Sequence, residues 1–143
     1  MEPLDAEALP RGALLLVDSA PIIYTLEAHP KFAGRYKSMF ARHADGELLL
    51  AVTTITIAEV LTGPLGAGED ALAKRYRAVM ESWRVVELSA DIAETAARLR
   101  GKLKLKLPDA IQVASALAIN AEALVTHDRD FTKVKVKGLR VVG

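Results

Sequence analysis

Four acidic residues carry the chemistry legible in this sequence. Asp18 directly follows the apolar run Ala13–Val17, and Asp128 lies just beyond a second run, Ala123–Thr126. In open parallel sheets the ligand site forms beyond the carboxyl ends of the strands, so both aspartates are expected at one crevice. Glu59 sits in a segment that is apolar over most of a helical circumference, where Thr56, Glu59 and Thr62 recur every third residue as one polar stripe. An ionised carboxylate on such a helix needs a cation or strong hydrogen bonds. Asp109 follows Pro108 in the first turn of a predicted helix, with Gln112 one turn on and Ile111, Ala114, Leu117 and Ala118 as its inward face. Four carboxylates at one crevice repel each other unless a divalent cation is present, and hard oxygen ligands select Mg²⁺ or Mn²⁺ over zinc. The chain has no cysteine, and His29, His43 and His127 lack the spacing of a zinc site and read as surface residues.

Each acid also has a plainer reading. Asp18 would share helix capping with Ser19, and Asp128 would close an Asx-turn within Thr126-His127-Asp128-Arg129-Asp130. Glu59 would be a half-exposed residue in water or paired to Lys or Arg. Asp109 would be one more acid favoured by a helix dipole.

The elements that must position these groups follow from the pattern of apolar residues. A chain of 143 residues that is 51% hydrophobic suits one core, and with only 5% aromatics that core is aliphatic, as in sheets buried on both faces. Strands are expected at Ala13–Val17, Leu48–Val52, Val85–Leu88, Ala123–Thr126 and Leu139–Val142. Helices are expected after Ser19, over Phe32–Arg42, from Thr53 or Thr54 to a stop at Gly63-Pro64, over Ala71–Trp83, after Ser89, and from Pro108 to Asn120. The helix over Ala71–Trp83 reads as exposed and amphipathic, with Leu72, Tyr76, Val79 and Trp83 at helical spacing and Lys74, Arg75, Arg77 and Glu81 elsewhere. This alternation implies an α/β fold with an open, mostly parallel sheet. Residues 1–12 read as an N-terminal extension and residues 13–143 as a single domain. No stretch approaches the roughly 18 apolar residues of a membrane span, and Glu2, Asp5 and Glu7 stand where an export signal would be basic. The expected location is therefore the cytoplasm.

Four motifs together, Leu15-Leu16-Val17-Asp18-Ser19, Ile55-Thr56-Ile57-Ala58-Glu59-Val60, Leu107-Pro108-Asp109-Ala110-Ile111 and Val125-Thr126-His127-Asp128-Arg129-Asp130-Phe131, resemble the PIN-domain nucleases, and more narrowly the VapC-type toxins. The resemblance runs from about Ala13 onward. It implies a PIN-like sheet with helices on both faces, an acidic metal pocket, hydrolysis of RNA, dimerisation and inhibition by a cognate antitoxin. Carried over by position, the metal-site acids fall on Asp18, Glu59, Asp109 and Asp128, with Asp130 competing for the last place. Asp128 is preferred because Asp130 lies further into the loop. Ser19 and Thr126 match small hydroxyl positions beside the pocket.

Hydrolysis of a phosphodiester needs an activated water and neutralisation of the phosphoryl oxygens, which a cation held by Asp18, Asp109 and Asp128 supplies. Glu59 is then an outer-sphere ligand or the group that orients or deprotonates the water. RNA approaching a negative pocket requires a basic rim, for which Lys102, Lys104, Lys106, Arg129 and Lys133 are the candidates. The competing reading of Lys102–Lys106 is a connector with solvated charges and packed leucines. Two rivals remain for the whole chain: a non-catalytic RNA- or protein-binding module on the same fold, and an acidic-pocket phosphotransfer protein.

Overall fold

The computed structural model describes residues 1–143. Five short strands, β1 (Leu14–Val17), β2 (Leu49–Thr53), β3 (Arg84–Val86), β4 (Ala123–Val125) and β5 (Arg140–Val142), form one sheet in the order β3-β2-β1-β4-β5. Every pairing is parallel. The chain winds outward from β1 through β2 to β3, then returns to place β4 on the other side of β1. The topological switch therefore lies between β1 and β4, and the crevice of such a sheet opens at their carboxyl ends.

Six helices, α1 (Ser19–Leu26), α2 (Ala33–Ala44), α3 (Thr54–Gly66), α4 (Asp70–Glu81), α5 (Ala90–Leu103) and α6 (Leu107–Ala118), cover both faces. The pleat sends alternate side chains to opposite sides. Leu15 and Val17 of β1 join Ile22, Tyr36, Met39, Val60 and Met80 from α1 to α4, whereas Leu16 joins Ile92, Ala96 and Ala110–Ala114 from α5 and α6. The apolar central strands β1 and β4, enclosed on both faces, are what the sequence pattern implied, and the α/β class and the layers of helix on each face are as expected. No helix is long and apolar enough to cross a membrane.

Several local expectations are corrected. Ser19 does not cap α1; Asp18 is the N-cap, its carboxylate accepting from the Ser19 N–H. Gly63-Pro64 does not end α3, which runs on to Gly66 with Pro64 buried inside it. In the last turn a proline removes one ladder hydrogen bond, and packing of the ring offsets that loss. α3 is also less enclosed than its composition suggested: Thr56 is buried, but Ala58, Glu59 and Thr62 are exposed. α4 is the exposed amphipathic helix that was expected, with Ala73 and Met80 buried, Tyr76 packed against the first core and Val79 exposed. The first twelve residues pack on the domain. Ala6 and Leu9 are buried in the first core, and the Arg42 guanidinium donates to their carbonyls at 2.6 and 2.8 Å.

Candidate active site

Asp18 is positioned by the end of β1. Its backbone N–H donates to the Val125 carbonyl of β4, so the residue stands at the switch point. The side chain is only 8% exposed, and a carboxylate so enclosed needs donors. It has three. Oδ1 accepts from the Ser19 N–H at 2.9 Å and from Gln112 Nε2 at 2.8 Å, and Oδ2 accepts from the Thr126 hydroxyl at 2.9 Å.

Gln112 ties this carboxylate to the neighbouring strand. Its Nε2 also donates to Thr56 Oγ1 at 2.7 Å, and its Oε1 accepts from the Thr53 hydroxyl at 2.7 Å. Thr53 ends β2 and caps α3 by accepting from the Thr56 N–H. Asp18, Thr53, Thr56, Gln112, Ser115 and Thr126 make up the buried polar residues, and none has an unpartnered buried side-chain polar atom. The network thus clamps β1, β2, β4 and α6 together beneath the crevice. Sequence reasoning noted Gln112 only for its place one turn from Asp109. A lone amide in the apolar helix Leu107–Ala118 was the available sign of its role.

The more exposed acids lie above this base. Asp109, in the first turn of α6, and Asp128 and Asp130, in the loop after β4, bring their carboxylate oxygens within 4.8 Å of one another. Asp128 also makes the Asx-turn of its plainer reading, Oδ1 accepting from the Asp130 N–H at 2.9 Å, while its own N–H donates to Thr126 Oγ1. That turn folds the loop back and brings Asp130 beside Asp128, so both competitors for the last acidic position face Asp109. Asp18 and Glu59 stand outside this trio but within its field. Burial, then the Asp128, Asp18 and Asp130 charges, push the Asp109 carboxyl up to about 6, with Lys106 opposing. Glu59 is raised by burial first and by the Asp18 and Asp109 charges next, with Ser19 offsetting part of the effect. An oxygen-only donor set with crowded, reluctantly ionised carboxylates fits a hard divalent cation.

Of the basic candidates, Lys106 lies close enough to act on Asp109. Lys133 donates to the Lys104 carbonyl at 3.1 Å, which satisfies the end of α5. Lys102 and Lys104 are exposed at that same helix end while Leu105 is buried, the pattern of the connector reading. The histidines are not free surface residues. His127 Nδ1 pairs with the Tyr36 hydroxyl at 3.1 Å, His43 Nδ1 with the Leu48 carbonyl, and His29 Nδ1 accepts from the Lys31 and Phe32 N–H groups. Burial and the Arg35 and Arg129 charges lower the His127 pKa.

The PIN domain family model matches residues 15–137. Among solved structures, a toxin–antitoxin complex from Klebsiella pneumoniae contains a chain 32% identical, with 87% of this chain and 94% of that one covered at a TM-score of 0.65. VapBC2 from Rickettsia felis, bound to a DNA fragment from its promoter, is 18% identical over 90% of this chain and 96% of that one, at a TM-score of 0.68. VapBC-1 from nontypeable Haemophilus influenzae is 21% identical over 90% and 96%, at a TM-score of 0.67. No curated protein matches. With acids gathered at the switch point of a parallel sheet that the family model spans almost entirely, the chain belongs to the PIN-domain family.

Proposed function

We propose that this chain is a divalent-metal-dependent ribonuclease that hydrolyses phosphodiester bonds of RNA, as the toxin of a toxin–antitoxin pair. The observation that carries the reading is the convergence of Asp109, Asp128 and Asp130 within 4.8 Å at the carboxyl end of a PIN-domain sheet. The partner assignment rests on the relative from Klebsiella pneumoniae, which is a chain of a toxin–antitoxin complex. A cytoplasmic location, a homodimer and a cognate antitoxin follow from that role.

Asp109, Asp128 and Asp130 would hold Mg²⁺ or Mn²⁺, with Asp18 alongside. When bound, the cation supplies positive charge against the phosphoryl oxygens and makes water more acidic. The protein's own groups do the rest. Gln112, Thr126 and the Ser19 N–H fix the Asp18 carboxylate, so it needs no reorganisation on substrate binding. Glu59, whose carboxyl is raised by burial and by the Asp18 and Asp109 charges, is the group that would accept a proton. It takes the proton that the attacking water releases as its oxygen bonds to phosphorus. The bond from phosphorus to the 3′ oxygen breaks, that oxygen is protonated by solvent, and a 5′-phosphate and a 3′-hydroxyl result. Because both Asp18 oxygens are hydrogen-bonded, Asp18 is a poor phosphoacceptor, which disfavours the phosphotransfer rival.

Incubating the purified protein with fluorescent RNA in EDTA, Mg²⁺ and Mn²⁺ tests the reading. Cleavage is expected only with added metal, and not in Asp109→Asn with an unchanged circular dichroism spectrum. Full activity in that variant, or cleavage in EDTA, would overturn the assignment, while RNA binding without cleavage would favour the non-catalytic module.

A further inference from the structure

We infer that a basic, aromatic-walled cavity beside the acid cluster is a nucleotide subsite, taking one unpaired RNA nucleotide that flanks the scissile bond. The cavity measures about 570 Å³ and is lined by Lys31, Phe32, Arg35, His127, Arg129 and Thr132, together with the terminal residues Met1 and Gly143. His127 and Arg129 flank Asp128 in the chain, so its wall is continuous with the loop that carries the acids. The subsite rests on the ribonuclease reading and adds to it the kind of RNA and the residues that receive it.

Two features point to a nucleotide. The first is charge: Lys31, Arg35 and Arg129 are all exposed, and none makes an ion pair with any Asp or Glu. Three cations around one hollow repel each other and attract a phosphate. The second is the wall. The Phe32 ring centre lies 4.6 Å from that of His127, 5.0 Å from that of Tyr24 and 5.0 Å from that of His29, with which it stacks. The Lys31 ammonium rests 5.2 Å from the Phe32 ring centre. Phe32 and His127 both line the cavity and are only half-buried, so part of each ring is open to a base.

The wall is held rigidly. Tyr36 is fully buried, and the partner of its hydroxyl is His127 Nδ1, which fixes the imidazole. The His29 ring, by accepting from the Lys31 and Phe32 N–H groups, holds the start of the segment that carries Phe32. A duplex covers each base face with its neighbours, so a stacking wall selects unpaired RNA.

The test is binding of a fluorescein-labelled, unstructured RNA decamer to the full chain in EDTA, followed by anisotropy across a range of KCl concentrations. Arg35→Gln should weaken binding and flatten the dependence of log affinity on log salt by about 0.7, one phosphate contact on a single strand. Phe32→Leu should weaken binding about tenfold with the salt slope unchanged, and Phe32→Tyr, which restores a ring, should recover it. Melting curves for each variant confirm that the fold is kept. Wild-type affinity and slope in Arg35→Gln and Phe32→Leu, or Phe32→Tyr binding no better than Phe32→Leu, would overturn the subsite. That result with metal-dependent cleavage intact leaves the ribonuclease reading standing, whereas a wild type that cleaves no RNA removes both.

Discussion

The two halves of the acidic site are built on opposite principles. The lower half, Asp18 with Gln112, Thr53, Thr56 and Thr126, is buried and has every polar group paired within the protein. The upper half, Asp109, Asp128 and Asp130, is half-exposed or exposed and pairs like charges with one another. One half is complete without a ligand, and the other is relieved by taking up a proton or a metal ion. Substitutions of similar size should therefore fail in different ways: below, stability falls; above, stability rises and metal response is lost.

The largest effect is expected at Gln112. Gln112→Leu keeps the volume but leaves Asp18 short of a donor and the Thr53 and Thr56 hydroxyls without their amide partner. Unsatisfied buried groups of this kind cost about 3 kcal/mol together. In a domain of this size that lowers Tm by about 10 °C. Thr126→Val removes a donor to Asp18 and an acceptor for the Asp128 N–H, and should cost roughly half as much. Thermal melts in EDTA check both. A Tm within a degree of wild type for Gln112→Leu would mean that the network does not brace the fold.

Asp109→Asn should act in the other direction. The Asp109 carboxyl is raised from 3.8 to about 6, so near those values the folded protein binds more protons than the unfolded chain. Its contribution is fully present below the unfolded value and is lost as pH rises through the folded one. In EDTA, wild-type Tm should therefore fall between about pH 4 and pH 7 by more than that of Asp109→Asn. At pH 7 the variant should melt above wild type. Added Mn²⁺ reverses the order: a cation at about one hundred times its dissociation constant stabilises the wild type by roughly 2.7 kcal/mol, and the variant by much less. Equal metal responses would separate Asp109 from the metal site.

What was legible in the sequence follows the same division. The strands were legible because a strand buried on both faces must be apolar without interruption, as Leu14–Val17 and Ala123–Val125 are. Asp18, Asp128 and Asp109 stood out because they follow those runs or lie in a helix's first turn, both local facts, whereas the approach of Asp130 to Asp109 depends on how the loop folds back. The amide beneath them was not, since Gln112 meets Asp18 across 94 residues of chain and no local pattern encodes such a contact. The hydrogen bond of His127 was hidden for the same reason, as its partner Tyr36 lies 91 residues away. Pro64 failed differently: it obeyed a sound local rule, but α3 continues past it to Gly66 with the ring buried.

The smallest expected effect concerns the rim, where the sequence offered Lys102, Lys104 and Lys106 as equals. In the structure they are not equal. Lys106 is the N-cap of α6 and acts on the Asp109 carboxyl, whereas Lys102 lies in the last turn of α5 and Lys104 closes that helix in a left-handed conformation with φ 54°. Lys106→Gln should therefore lower RNA affinity by a factor of about three and flatten the salt slope by about 0.7. Lys102→Gln should change neither. Because Lys106 opposes the rise in the Asp109 pKa, its removal should also move the pH at which EDTA-treated protein loses stability slightly upward. Anisotropy in EDTA and melts across pH read the two effects separately. A loss of affinity with no movement of the pH midpoint would place Lys106 on the RNA but not against Asp109, and equal losses in both lysine variants would restore the three lysines as one undivided patch.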